Sequence, residues 1–579
     1  MVFNFRINRS KSTSAAACHG SSLWPLRATP LESSQVAEFS PIEPSPAARS
    51  KWARGVGLLR PSHTHTAFTA TLVLMASTFL SRIIGLGKNS YIAWLFGAKM
   101  EADAFNAAFV LPDMISYFLV GGAASITFVS ILTRYHETGR EEDGQRSLSA
   151  ILTAMYLVLG TAIVLAEIFA PWYIHWWFKG FDAEKAAVCV RLTRILLPAQ
   201  LFFFAGGIFG AVLLVRKQFS VQAVAPLIYN LGTIVGGLLL VRRIGVSSLA
   251  IGTLAGAFFG PFLLNVIFAR RMGTRYRFLL DWSDPGLREW VRLSLPLMIG
   301  FSLVSADGWI IAHFASETPG AVSLMTYAKQ LFNAPMAILA QAAGAASMPF
   351  FASLWSQHRR YEFATGVADS VSRVTALGLL AASAMMALAV PLVQLAFMRG
   401  HFSMRDSKEC AAYFAVFSIS LFLWSAQAIY SRAFYAAGNT LIPMAAGTVI
   451  TLASWPVYAA LYHLYGVMGL AVASNLGILV QTVTLAVLLH RRHLVSLASL
   501  DYAELGRCLL AAAGSGADVW ILWGALGTLF HKIAPGRIYL TDITMLLAGA
   551  ALWVVVVKWV LEKSGSALPR VAMKRLGME

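Results

Sequence analysis

Arginines, lysines and aspartates set inside long apolar stretches are the residues here whose types and spacing could do chemistry. Arg82 and Lys88 stand six residues apart within 67–96. Asp103 opens the next apolar stretch, and Asp113 follows Pro112 within it. Asp307 and His313 lie within 288–314 and Lys329 within 320–354. A charge inside a membrane span is costly unless it is paired or hydrated, so each of these needs a partner or a cargo. Arg82, Lys88 and Lys329 lie near the middle of their stretches. If they face one cavity they form a cationic chamber suited to a diphosphate, with Asp103 and Asp307 orienting or balancing them. The competing arrangement is a set of internal ion pairs, such as Arg82 with Asp307 or Lys88 with Asp103. A transporter can use both, trading an internal partner for its ligand. Lys558, Asp542 and Arg432 are expected to snorkel toward the membrane surface, and His313 to be packed or hydrogen-bonded.

No enzyme constellation accompanies these charges. There is no HExxH, GxSxG or phosphate-binding loop, and the connecting loops leave no room for a soluble catalytic domain. Cys18, Cys189, Cys410 and Cys508 lie far apart with no CxxC spacing, so neither a metal centre nor a disulfide framework is expected, and no cofactor. The formal net charge of +18 suits an anionic membrane leaflet better than nucleic acid, because the chain is too apolar for a soluble binder. It is 57% hydrophobic and only 13% charged, against about 25% charged in soluble domains. Its mean hydropathy of +0.65 points the same way, to lipid as the solvent.

The elements that must position the charges are membrane helices. From Ala67 onward apolar stretches of 20 or more residues alternate with short loops, each stretch long enough for roughly 30 Å of hydrocarbon. The pattern predicts an all-α integral membrane protein of about fourteen spans. They fall near 67–96, 102–133, 147–175, 189–215, 221–241, 247–269, 288–314, 320–354, 366–397, 409–436, 440–462, 465–490, 505–530 and 539–561. Arginine and lysine are more frequent in the loops that share a side with the termini, which predicts both termini in the cytoplasm. Residues 1–66, rich in Ser, Pro, Ala and Arg, read as a disordered basic tail. Ala15-Ala16-Ala17-Cys18 looks like a lipoprotein cleavage site but lacks a preceding apolar run.

An internal repeat organises the spans. Gly122-Ala-Ala-Ser-Ile-Thr-Phe-Val-Ser-Ile-Leu132 and Gly344-Ala-Ala-Ser-Met-Pro-Phe-Phe-Ala-Ser-Leu354 share six of eleven positions. Each follows a mid-helix proline, Pro112 or Pro335, at similar distance. Arg216–Pro226 and Arg432–Pro443 give a weaker echo. The expected division is therefore two six-helix lobes in parallel orientation, 67–270 and 286–490. Two further helices follow at 505–561, then a cytoplasmic tail at 562–579. Two parallel halves are a transporter architecture, with substrate between them near the midplane. Pro112, Gly121, Gly122, Pro335 and Gly344 are the expected hinge positions.

The same residues resemble a known family. Ser81-Arg82-Ile83-Ile84-Gly85-Leu86-Gly87-Lys88-Asn89, Phe96-Gly97-Ala98, Asp103-Ala104-Phe105, Leu111-Pro112 and Gly122-Ala123 with Phe128 resemble the opening of the MurJ/MviN lipid II flippase family. Arg194-Ile195-Leu196-Leu197-Pro198, Phe219-Ser220, Ala225-Pro226 with Asn230, and Arg432-Ala433-Phe434-Tyr435 to Pro443 extend the likeness over nearly the whole chain after the tail. The resemblance implies fourteen helices in two lobes around a cationic cavity, in the bacterial inner membrane. It implies a non-enzymatic flippase that carries undecaprenyl-diphosphate-linked disaccharide-pentapeptide from the cytoplasmic to the periplasmic leaflet. Its partners would be that lipid, membrane lipids and the cell-wall synthesis machinery, with drive from membrane potential or a cation gradient. Several positions depart from the family pattern. Lys88 replaces an arginine, and Ser116 and Tyr117 stand where the family has an arginine pair. Gly121 replaces a glutamate, and Lys329-Gln330 stands for Asp-Arg. These departures leave open a flippase for another polyprenyl-linked glycan, or a non-transporting envelope-assembly scaffold.

Overall fold

The structure is a computed structural model that describes residues 67–120, 122–299, 303–533, 538–566 and 568. The expected tail 1–66, Gly121 and most of the expected tail 562–579 lie outside the described residues.

Every described element is helical. In hydrocarbon a backbone must satisfy its own polar groups, and a helix does so within one segment. The first expected half comprises α1 (Ala67–Phe96), α2 (Met100–Ala107), α3 (Val110–Ile115), a π-turn (Ser116–Val120), α4 (Gly122–Glu137), α5 (Glu141–Trp177), α6 (Ala183–Leu196), α7 (Ala199–Val215), α8 (Phe219–Ile244), α9 (Ser247–Ala257), a second π-turn (Phe258–Leu264) and α10 (Asn265–Arg271). The second comprises α11 (Pro285–Ile299), α12 (Leu303–Ala315), α13 (Ala321–Met336), a π-turn (Ala337–Ala342), α14 (Ala343–Ser356), α15 (Arg360–Ala387), α16 (Ala389–Phe397), α17 (Met404–Ile419), α18 (Leu421–Ala436), α19 (Leu441–Tyr465) and α20 (Val467–Arg491). After these come α21 (Tyr502–Ile533) and α22 (Ile538–Lys563).

Among the described residues ten helical segments are long and apolar enough to cross a membrane, or eleven if α17 and α18, bent by 42°, make one span. The expected fourteen is not reached by that measure. Helices do occupy the stretches expected for spans one, two and seven. The second is broken into short pieces around Pro112, and the seventh is interrupted at 300–302, outside the described residues.

The breaks have local causes. Pro112 has no N–H to give the carbonyl four residues back, so the Ala108 carbonyl is left over, and the Thr193 hydroxyl donates to it at 3.4 Å. A π-turn follows Pro112, and another follows Pro335, each just ahead of a Gly-Ala-Ala-Ser segment. The two expected hinges therefore share one local construction, proline then π-turn then small-residue helix. Such turns recur where helices bend at functional sites.

The apolar cores show how the halves meet. One core around Phe128, Ile151, Phe204 and Ile208 belongs to the first half, with Leu287 and Trp290 added from α11. A second, around Phe351, Phe363, Phe434 and Leu485, belongs to the second half. A third joins both, setting Ile92, Phe105, Leu192 and Leu249 against Ile310, Tyr327, Phe397 and Leu470. The halves are thus fused at one end and carry separate cores toward the other. A smaller core holds α21 and α22 on α15 through Ala376, Leu380, Cys508 and Leu561. Within the first half, α8 and α9 pack backbone to backbone. A Cβ on Gly236 would lie 2.4 Å from Gly252 Cα, and one on Gly232 would lie 2.5 Å from Gly256 Cα. The Thr233 and Thr253 hydroxyls bond across this contact at 2.8 Å.

Candidate functional site

The fused end is fastened by a carboxylate. Asp103, fully buried, accepts from the Gly320 N–H at 2.7 Å, the Ser323 N–H at 2.9 Å, the Ser323 hydroxyl at 2.7 Å and the Lys185 ammonium at 3.0 Å. It caps α13 from the opposite half, where orphan N–H groups and the helix dipole favour an anion. Tight backbone crossings surround it. A Cβ on Gly97 would lie 2.4 Å from the His401 carbonyl oxygen, and one on Gly400 would lie 2.2 Å from that of Trp94. Both glycines have positive φ, so the loops are shaped for glycine as well as packed for it. This corrects one expectation: Asp103 balances Lys185 on α6 and serves none of the three central cations.

Beyond this clamp lies a hollow of about 340 Å³, walled mainly by the second half, with Thr326, Lys329, Gln330, Asn333 and Trp424 among its lining, and reached from the first half by Asp113. Lys329 opens onto it and is ion-paired with Asp307. Asp307 is buried and also accepts from the Tyr458 and Ser474 hydroxyls, the latter at 3.0 Å. The expected balancing role of Asp307 therefore falls on Lys329, and neither anticipated pair, Arg82 with Asp307 or Lys88 with Asp103, forms. Lys88 is half-buried, lies 5.9 Å from the Phe109 ring centroid, and feels the charge of Asp113. Arg82 reaches α13–α14 through the intervening π-turn, donating to the Gln341 side-chain oxygen at 3.4 Å.

The three cations therefore do not line one hollow. Lys329 does, Lys88 stands beside its Asp113 wall, and Arg82 lies farther along the same seam. Gly85, between Arg82 and Lys88, keeps that seam close: its Cβ would meet Gln330 Nε2 at 3.4 Å. Lys185, Tyr458 and Ser474 are site residues that sequence reasoning did not single out, and Asp113 is one it named without assigning a role. Asp113 beside a helix-breaking proline was the one legible signal. Of the residues expected to snorkel, Lys558 is exposed and near Glu562 at 3.8 Å. Asp542 instead is buried against Gln394, whose amide reaches it at 2.8 Å. His313 bonds the Trp177 carbonyl at 2.6 Å, a packed histidine as expected. At 117, where the resembled family has arginine, Tyr117 packs edge-on against Trp309 at 5.5 Å.

At the end away from the clamp, ion pairs fasten the segment between the halves. Arg146 holds Asp281 at 2.7 Å, and Arg134 holds Glu289. Hydrogen bonds from Ser283, with Arg146 behind them, hold the Asp281 carboxyl down at about 2. Among the described residues no cluster of His, Cys, Asp and Glu could hold a metal ion.

Two helical halves fused at one end, with a hollow faced by Asp113 from the first and Lys329 from the second, define a polytopic membrane transporter. The fold agrees: a solved "Lipid II flippase MurJ, inward closed conformation" superposes with a TM-score of 0.70 at 18% identity, covering 85% of this chain and 99% of that one. An inward-facing MATE-family multidrug transporter gives 0.59 at 15% identity, covering 73% of this chain and 98% of that one. The family model for lipid II flippase MurJ matches residues 92–533, and the chain belongs to that family. Probable lipid II flippases MurJ of Vibrio cholerae and Haemophilus influenzae are 26% and 28% identical to it. These alignments cover 78% and 76% of this chain and 88% and 90% of those proteins.

Proposed function

We propose that this chain is a lipid II flippase of the inner membrane. It moves the polyprenyl-diphosphate-linked peptidoglycan precursor from the cytoplasmic to the periplasmic leaflet by alternating access, as a transporter and not an enzyme. The observation that carries this reading is the hollow onto which Lys329 of the second half and Asp113 of the first both open, in halves that are fused at one end and separately cored at the other. A sugar-diphosphate head cannot cross hydrocarbon unaided, because unpaired charges and polar groups are costly there. Arg82, Lys88 and Lys329 give the head partners while the tail stays in lipid. The halves 67–270 and 286–490 rock against each other about the proline–π-turn hinges. The Asp103 clamp is the periplasmic closure, both termini are cytoplasmic, and membrane potential or a cation gradient drives the cycle.

Complementation tests this. The chain should rescue cells depleted of their own lipid II flippase, and Arg82→Ala should abolish rescue while the protein still reaches the membrane. Rescue that survives Arg82→Ala, Lys88→Ala and Lys329→Ala combined would remove the cationic site from the mechanism. One observation favours a second reading. Tyr117 fills an arginine position with aromatic packing against Trp309, so the chain has fewer donors for its cargo than the family pattern offers. A flippase for another polyprenyl-linked glycan would rescue export of that glycan and not peptidoglycan growth.

A further inference from the structure

We infer that Arg432, with Arg82 from the opposite half, forms a two-guanidinium port for a lipid-linked diphosphate at the Gln341–Gly344 turn of the eighth expected span. This deepens the transport reading and rests on it.

Lys329 at the centre is already neutralised by its ion pair with Asp307. The guanidiniums are not. Arg82 bonds an amide oxygen, that of Gln341, and Arg432 lies 5.8 Å from the Tyr435 ring centroid; among the described residues neither has a carboxylate partner. Arg432 was expected to snorkel. Instead it is half-buried on α18, and its Nε occupies the space beside Gly344, 3.6 Å from where a Cβ would stand. Gln341 and Gly344 are three residues apart on one helical stretch, so they share a face within about one turn. Arg82 and Arg432 therefore approach the same turn from α1 and α18, one from each half.

Two half-buried guanidiniums without a counter-ion, converging inside membrane-spanning segments, need an anion that bridges them. A diphosphate has the charge and the two oxygen-rich ends to do so, and guanidinium takes phosphate oxygens bidentately. The surroundings of Arg82 also favour a lipid-linked source over a free anion. Arg82 is flanked on its own helix by exposed Phe79, Leu80 and Ile83, so a prenyl tail can lie along α1 while its diphosphate reaches the arginines. Because the port is split between halves, a bound diphosphate ties them together away from the Asp103 clamp, which is the contact that rocking requires.

The test uses the purified full-length chain in nanodiscs, with farnesyl diphosphate, farnesyl monophosphate and inorganic diphosphate as probes. Arg432→Ala and Arg82→Ala should each weaken farnesyl diphosphate binding by about ten- to a hundredfold, the loss of a charge-assisted contact. Arg432→Lys should recover part of it at unchanged thermal midpoint. Farnesyl monophosphate, too short to bridge, should lose far less from Arg432→Ala. Wild-type affinity for farnesyl diphosphate in both Arg432→Ala and Arg432→Lys would overturn the port and leave the transport reading standing. Failure of the wild-type chain to bind farnesyl diphosphate at all would overturn both. Inorganic diphosphate binding as tight as farnesyl diphosphate, with the same dependence on the arginines, would overturn the lipid-linked assignment.

Discussion

Removing the Asp103 carboxylate should release the fused end. Three of its four donors, the Gly320 N–H, the Ser323 N–H and the Ser323 hydroxyl, come from the second half and are lost when that end opens. The fourth, Lys185, travels with Asp103 in the first half. Net hydrogen bonds to a charged group are worth roughly 1.5–3 kcal/mol each and do not add fully, so about 3 kcal/mol is a reasonable total for the clamp. That corresponds to a shift of about 150-fold in the closed-to-open ratio. Asp103→Ala alone also strands the buried Lys185 ammonium in both states, at a cost of about 3–5 kcal/mol to the fold. Asp103→Ala with Lys185→Met removes that complication. Nitroxide labels on Lys99→Cys and Glu317→Cys, both exposed positions at this end, report the distance in a background without Cys18, Cys189, Cys410 and Cys508. Pulsed dipolar spectroscopy should show a single short distance for the parent and a populated longer one for the double variant. Coincident distributions in a folded double variant would refute the clamp.

Other consequences are equally accessible. Asp307→Asn leaves Lys329 without its counter-charge and should lower stability by about 3 kcal/mol, the low end for a broken buried pair because Lys329 opens on the hollow; chemical denaturation reads this, and parental stability would show that the pair is not a net support. Gly236→Ala places a methyl 2.4 Å from Gly252 Cα and should cost about 1–3 kcal/mol, whereas Gly160→Ala, which meets nothing within 4 Å, should be neutral or slightly stabilising by the same assay. The Asp281 carboxyl is held at about 2, below its unfolded value of about 3.9, so its tether is complete above the unfolded value and is lost only as pH falls through about 2. Hydrogen-exchange protection across 274–284, corrected for intrinsic rates, should therefore stay constant from pH 7 to 4 and fall in Asp281→Asn; a midpoint near pH 4–5 in the parent would contradict the assignment.

Much of the architecture was legible because hydropathy is a local property. Each apolar stretch has to become a helix whatever its neighbours do, so the helical class and the approximate position of every stretch could be read directly. Pro112 and Pro335 announced their bends through the missing N–H, although the π-turns after them and the Thr193 hydroxyl that takes the spare carbonyl could not be read. The paired small residues Gly232, Gly236, Gly252 and Gly256 were a legible packing signal that went unused.

By itself the sequence determined that these charges must be lodged in membrane helices. Only the tertiary structure decided which charge answers which. Asp103 meets Lys185 and the start of α13, Asp307 meets Lys329, and Arg432 turns into the space Gly344 leaves, because helix rotation and the crossing of distant spans set those partners. Coulomb energy in a poorly screened interior depends on separations of a few ångströms. Separations between residues many spans apart are fixed by packing, to which spacing along the chain gives no access.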